Sequence, residues 1–351
     1  MPSTRSSDRR QDSSALLEVE HLRIEFPTRR GPLLAVDDVS FAIQPGEVLG
    51  VVGESGAGKS LTGMAVIGLL DPPGRIAGGS IRLDGQRIDN LPYEQIRRIR
   101  GQHIGAIFQD PLTSLNPLFT VGQQLIETIQ THTDLDDKAA RGRAIKLLQE
   151  VGIPGAEQRL GAYPHEFSGG MRQRVVIALA LCAEPKLIIA DEPTTALDVS
   201  IQAQIIQLIK RLCREHGAAV MLITHDMGVI AETADRVAVM YAGRLVEIGP
   251  VREVVKAARH PYTKGLMGSI PVIGHEVERL TQIDGSMPRL GSIPAGCAFN
   301  PRCPEAFARC RTERPDLMTT PGDARAACWL YAPGATRAPI EPASGPVRVD
   351  G

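Results

Sequence analysis

The sequence has no run approaching the roughly 20 apolar residues that a helix needs to cross a bilayer. The protein is therefore expected not to span a membrane itself. Met1 to Ser14 is rich in Ser, Arg and Asp and lacks the apolar centre of a signal peptide. It reads as a disordered tail (1–14) on a chain that is not exported. Charge of one sign is missing too: 39 basic residues face 40 acidic ones, for a net charge of -1. No global field draws such a chain to nucleic acid or to an anionic membrane surface. Internal repeats are absent. Cysteine is sparse and uneven: of six, Cys182 and Cys213 stand alone, while Cys297, Cys303, Cys310 and Cys328 share one C-terminal span. Without a signal peptide, such a cluster points to metal or redox chemistry before a disulfide framework.

What is present is organised around Gly46 to Leu70. A short apolar run, Val48 to Val52, leads into Gly53-Glu54-Ser55-Gly56-Ala57-Gly58-Lys59-Ser60, and a helical pattern follows that ends before Pro72. Strand, glycine loop and helix in that order turn the spacing G-x-x-x-x-G-K-S into a phosphate site; an ordinary Gly-rich turn has no need of that context. Glycines let successive N–H groups converge on phosphate oxygens, and the helix start adds its positive dipole end. Lys59 is expected to reach the β- and γ-phosphates, and the Ser60 hydroxyl to take a position on Mg²⁺.

The 351 residues allow one large domain and a smaller one, at about 100–200 residues per domain. Leu16 to Phe26 alternates like a strand, and Ala35 to Ile43 reads as a second. Ser80 to Leu83 is expected as a strand, Tyr93 to Arg100 as a short basic helix and His103 to Phe108 as another strand. From Val121 to Ala162 the pattern turns helical, suggesting a helical insertion (about 112–183) in an α/β core. A further helix starts at Ser168-Gly169-Gly170. The wholly apolar Leu187 to Ala190 has the character of a strand buried in a parallel sheet. Helix Ile201 to His216, strands Ala219 to Thr224, Arg236 to Tyr241 and Arg244 to Ile248, and helix Val251 to Ala258 complete the α/β domain (15–259). A Pro-, Gly- and Cys-rich extension (260–331) and a mobile tail (332–351) follow.

Asp191 ends the buried apolar run, where a carboxylate is costly unless paired with a cation. Mg²⁺ held jointly with Ser60 supplies one. Glu192, next to it, is placed to orient and deprotonate a water aimed at the γ-phosphate, which favours hydrolysis over transfer to a second substrate. A helix or turn cap is the plainer role for such a pair.

These residues together resemble the ATP-binding subunit of an ATP-binding cassette transporter, from about Leu16 to Ala258 in order. Gly53–Ser60 resembles Walker A, Gln109 the Q-loop glutamine, and Phe167-Ser168-Gly169-Gly170-Met171 the signature motif. Leu187–Asp191 resembles Walker B, Glu192 the catalytic glutamate, Ala196-Leu197-Asp198 the D-loop, and His225 the switch histidine. Met171 replaces the more usual glutamine, with little loss expected because Ser168 and the glycine amides carry the phosphate contacts. The resemblance implies a mixed-sheet P-loop ATPase core with a helical and an antiparallel β subdomain. Glu192, His225 and Gln109 are the implied catalytic residues. ATP is expected against Gly53, Ser55, Gly56, Ala57, Gly58, Lys59, Ser60, Leu61 and Asp191, with Ser168, Gly169, Gly170 and Asp198 contributing across a head-to-tail pair. Mg²⁺ is expected on Ser60, Gln109 and Asp191. Phe26 is the candidate for stacking on adenine, with a core aromatic as its rival.

His260-Pro261-Tyr262-Thr263 and the four clustered cysteines, spaced C-x5-C-x6-C-x17-C, resemble the oligopeptide/dipeptide importer ATPases. Four thiolates suit Zn²⁺ or an iron–sulfur cluster, and the spacing lacks the paired knuckles of a zinc ribbon. The resemblance implies a [4Fe–4S] cluster on Cys297, Cys303, Cys310 and Cys328, with zinc as the alternative. The implied activity is ATP hydrolysis that powers peptide import. Implied partners are a second ATPase subunit, two membrane permeases and an extracytoplasmic binding protein, with no nucleic acid, at the cytoplasmic face of the membrane. Glutathione or nickel uptake is the same engine with another cargo. A soluble cassette ATPase of DNA repair or translation is a different class, disfavoured by the single cassette, the short insertion and the absence of basic bias.

Overall fold

A computed structural model describes residues 15–195, 197–268 and 283–333. The expected tail at 1–14, Ala196 of the D-loop and nearly all of the tail at 332–351 lie outside the described residues. No helix among the described residues is long and apolar enough to cross a membrane.

The described strands fall into two sheets. β1 (Leu17–Phe26), β2 (Leu33–Ile43), β4 (Arg75–Leu83) and β5 (Gln86–Arg87) form an antiparallel sheet in the order β2-β1-β4-β5. The other sheet contains β3 (Val48–Val52), β6 (Ile104–Ile107), β7 (Leu187–Asp191), β8 (Ala219–Ile223), β9 (Arg236–Tyr241) and β10 (Arg244–Pro250). Two short strands from the C-terminal stretch, β11 (Met318–Thr319) and β12 (Arg325–Ala326), extend its edge to give β11-β12-β10-β9-β3-β8-β7-β6. The β9-β3-β8-β7-β6 portion is parallel, and β10, β12 and β11 continue it antiparallel.

Apart from Asp191 and Arg236 at strand ends, the central strands carry no charged residue, because both faces of this sheet are covered. Val48 and Val52, Ile188 and Ala190, Val220 and Leu222, and Val237 and Val239 point into one core, shared with the helices. Their alternating neighbours Leu49 and Val51, Leu187 and Ile189, Met221 and Ile223, and Ala238 and Met240 point into a second core, under the antiparallel sheet. Each such Val, Leu or Ile contributes about 1.5–3 kcal/mol by leaving water.

Among the helices, α1 (Lys59–Val66) follows the glycine loop and α2 (Tyr93–Gln102) precedes β6. The helical layer holds α3 (Pro111–Ser114), α4 (Val121–His132), α5 (Asp137–Glu150), α6 (Ala156–Arg159) and α7 (Gly169–Leu181). Thr120 and Gln123 form a capping box on α4, and Asp136 caps α5. Leu125, Ile129, Ala144, Leu147, Leu148 and Val151 are buried, as their spacing predicts, while Ile126 of the same set is only half-buried. The remainder are α8 (Val199–His216), α9 (Met227–Thr233), α10 (Val251–Lys256), α11 (Pro261–Gly268) and α12 (Ala308–Thr312).

Two expectations need correction. α1 stops at Val66 and not near Pro72, because Gly68 adopts φ +67 and its N–H turns back to the Ala65 carbonyl. β4 begins at Arg75, well before the expected start at Ser80. Gly78 and Gly79 interrupt the alternation there, and a register shift against β1 absorbs them.

Candidate nucleotide site

The loop after β3 is shaped by its glycines. A Cβ on Gly53, at φ +153, would lie 2.2 Å from the Met240 carbonyl oxygen of β9. Gly58, at φ +99, forms the left-handed N-cap of α1. Ser55 and Gly56 stand exposed at the crest, Ala57 is buried beneath, and Leu61 packs against the second core. Lys59 is 5% exposed and donates from Nζ to the carbonyls of Gly53 at 2.8 Å and Glu54 at 3.1 Å, spanning the loop from within. Burial pushes its ammonium pKa down, while Glu192, Asp191 and Glu54 hold it up.

Strand pairing brings Asp191 to this loop. β7 is separated from β3 only by β8, and the Ser60 hydroxyl donates to Asp191 Oδ1 at 2.9 Å. Burial pushes the Asp191 carboxyl up; the Ser60 hydrogen bond opposes the rise and the neighbouring Glu192 adds to it. The meeting of a hydroxyl with a carboxylate oxygen is a hard-oxygen donor set that fits Mg²⁺, which takes few protein ligands beside waters and phosphates. Gln109 lies just beyond β6, whose Ile107 pairs with Ala190, so it shares this edge of the sheet. It is exposed, and among the described residues no hydrogen bond joins it to Ser60 or Asp191.

Glu192 sits at φ +45, a conformation costly for a residue with a Cβ. It is held there by its N–H, which donates to the Ile223 carbonyl at 2.8 Å, and by the Thr195 hydroxyl, which donates to Glu192 Oε2 at 2.8 Å. His225 Nδ1 lies 3.4 Å from Glu192 Oε1, so the two residues expected to act on the γ-phosphate come together. Thr195 is a partner that sequence reasoning missed. Its position three residues after Glu192 was the available signal.

The signature residues lie elsewhere. Ser168 is exposed and caps α7, its Oγ accepting from the Met171 N–H at 3.3 Å. A Cβ on Gly169 would lie 3.7 Å from Leu197, and one on Gly170 2.9 Å from Ile201. No hydrogen bond among the described residues joins Ser168, Gly169 or Gly170 to Gly53–Ser60. Asp198 is exposed at the N-cap of α8, its carbonyl accepting from the N–H groups of Ile201 and Gln202. Phe26, half-buried at the end of β1, packs against the second core and leans on Gly74, whose Cβ would come within 2.8 Å of its ring.

The four clustered cysteines line one small cavity together with His260, Asn300, Phe307 and Trp329. Burial pushes the thiols of Cys297, Cys303 and Cys328 up, to about 12 for Cys303 and about 11 for Cys328. Among the described residues, however, no three His, Cys, Asp or Glu side chains form a group that could hold a metal ion. The expected cluster and its zinc alternative thus gain no metal centre here. A wide cleft of about 1090 Å³ lies between β2 and the C-terminal stretch and contains none of the residues Gly53–Ser60.

Comparison with known proteins accords with this geometry. The family profile described as ABC transporter matches residues 36–195, and the profile described as oligopeptide/dipeptide transporter, C-terminal region, matches residues 246–310. The chain is 48% identical over 319 residues to the oligopeptide transport ATP-binding protein AppD of Bacillus subtilis, covering 91% of this chain and 97% of that one. It is 47% identical to the dipeptide transport ATP-binding protein DppD of Escherichia coli, over 86% of this chain and 93% of the relative. Among solved structures, a dimeric ATP-binding cassette in a post-hydrolysis state, bound to ADP and Pi, superposes with a TM-score of 0.60 at 27% identity, over 67% of this chain and 99% of that one. The loop, the acidic strand end and these matches place the chain in the ABC transporter family, as an ATPase subunit of its oligopeptide/dipeptide branch.

Proposed function

We propose that this chain binds MgATP on Gly53–Ser60 and hydrolyses it with Glu192 as base, at a site completed by Ser168, Gly169 and Gly170 of a second cassette subunit. The carrying observation is the constellation at the edge of the sheet: Glu192, bonded to Thr195, lies 3.4 Å from His225 and next in sequence to the Ser60–Asp191 pair. Glu192 accepts a proton from water as the water oxygen bonds to the γ-phosphorus, and ADP leaves with the former bridging oxygen. Ser60 and Asp191 would hold Mg²⁺, which would supply charge neutralisation to the phosphates. His225 holds the geometry around the γ-phosphate. Exposed Ser168 and the half-buried glycine amides offer a second helix start to a phosphate that their own chain's loop does not bring to them.

The cargo is peptide, a reading supported by relatives named for oligopeptide and dipeptide transport over those that glutathione, nickel, repair or translation would require. Leu112, Leu118 and Phe119, exposed just beyond Gln109, are the apolar positions we assign to the membrane partners, and on this reading the subunit works at the cytoplasmic side. A metal–sulfur group on Cys297, Cys303, Cys310 and Cys328 rests on their shared cavity alone, since among the described residues they form no group that could hold a metal ion. Metal analysis and visible absorption of anaerobically purified protein test it, and protein free of metal would remove it.

Glu192→Gln tests the hydrolytic role. It is expected to keep ATP binding and to lower steady-state turnover by about 10³-fold; turnover near the wild-type rate would show that Glu192 is not the base.

A further inference from the structure

A carboxylate inside a loop built to hold triphosphate works against its ligand. Glu54 is such a carboxylate, and it is held in a clasp from the C-terminal stretch. Arg302, with its side chain 8% exposed, donates from Nη1 to Glu54 Oε1 and Oε2 at 3.0 and 3.1 Å. Its remaining donors are fixed: Nε meets the Asp284 carbonyl at 2.8 Å, Nη2 the Ile283 carbonyl at 3.3 Å, and Nη1 also the Tyr241 hydroxyl at 3.3 Å. The guanidinium lies 5.8 Å from the ring centres of both Tyr241 and Phe299. It cannot turn to solvent without breaking several bonds at once.

A second contact acts on the backbone. The Glu54 N–H donates to the Tyr262 hydroxyl at 2.8 Å. Tyr262 is fully buried, its ring edge-on to Tyr241 at 4.7 Å and 5.4 Å from Phe299. The same Gly53–Glu54 peptide accepts Lys59 Nζ on its carbonyl. One peptide unit is therefore pinned by Lys59 on one side and by a tyrosine 208 positions away on the other.

We propose that Arg302 and Tyr262 are positioning residues for the phosphate loop: Arg302 neutralises Glu54, Tyr262 fixes the Gly53–Glu54 peptide, and the C-terminal stretch thereby sets the affinity for MgATP. The inference rests on Gly53–Ser60 being the triphosphate site. A plain staple of the C-terminal stretch to the core would give the same contacts but a different response to mutation, since a staple acts on stability and a charge acts on the anion.

The test uses the full chain assembled with its transporter partners, with KM for MgATP and kcat measured separately. Arg302→Met keeps the stem and leaves Glu54 unpaired; KM is expected to rise about tenfold with kcat within about twofold. Adding Glu54→Gln removes the unpaired charge, and the double variant is expected to return to within about threefold of the wild-type KM. If the Arg302 variant does not fold, Tyr262→Phe keeps the ring and deletes only the acceptor, with KM expected to rise about fivefold. A lowered melting temperature with KM unchanged, or a double variant as weak as the single, overturns the proposal and leaves a staple. Lys59→Ala separates the two readings: ATP binding by that variant at wild-type affinity would refute the phosphate loop itself, whatever the clasp does.

Discussion

The two regions we assign to phosphate are built differently. Gly53–Ser60 is closed from within: Lys59 spans its carbonyls, Ser60 meets Asp191, and Glu192 is locked by Thr195 beside His225. Ser168 is exposed at a helix start, and a Cβ on Gly169 or Gly170 would meet Leu197 or Ile201 of the same chain. A site assembled in cis can bind before any partner arrives; a helix start left open is free to serve a second subunit, as we propose. On our reading binding belongs to the first region and turnover requires both.

Mutations at matched glycines break this contrast or sharpen it. Gly53→Val carries the largest effect, because its Cβ falls 2.2 Å from backbone in a strand that cannot retreat. A cost beyond about 3 kcal/mol is expected, with ATP binding lost; thermal melting and equilibrium titration with MgATP measure both. Gly170→Ala places its Cβ 2.9 Å from the Ile201 Cγ2 methyl, the branch of a β-branched side chain with little freedom but no backbone. Hydrolysis by the assembled complex is expected to fall about tenfold while ATP binding by the single chain stays within about twofold. Equal loss of binding and turnover in that variant would erase the distinction between the regions.

The smallest expected effect is electrostatic. An acid whose pKa is higher folded than unfolded keeps its proton longer in the folded chain. The folded state therefore loses stability as pH climbs from the ordinary 3.8 of Asp191 through its raised value. Asp191→Asn is expected to raise the nucleotide-free melting temperature at pH 7 by about 2 °C, an advantage that vanishes at acid pH, while abolishing hydrolysis. A lower melting temperature for Asp191→Asn would mean that the carboxylate stabilises the empty loop.

The sequence revealed most where chemistry is local. Lys59, Ser60, Asp191 and Glu192 announce themselves because strand, loop and helix follow one another, and two acids at the end of an apolar run are too costly to stand there without a cation or a proton to manage. β11 and β12 stayed hidden, since two-residue strands carry no periodicity. α9 is seven residues long and capped by Asp226, too short for its pattern to stand out. The cysteine spacing marked a cluster without disclosing its spread, because the chain between Cys310 and Cys328 is folded back through β11 and β12. Arg302 on Glu54 was beyond reach, as nothing in either neighbourhood names a partner 248 positions away.

The tight fit between Gly170 and Ile201 has a further outcome. Glu192 and Asp198 are less than two helical turns of chain apart, and α8, which begins just after Asp198, lies against the signature turn. On our reading, the carboxylate that would activate water and the helix start offered to a second subunit are therefore neighbours within one chain, so that a shift of α8 would be felt at the signature turn.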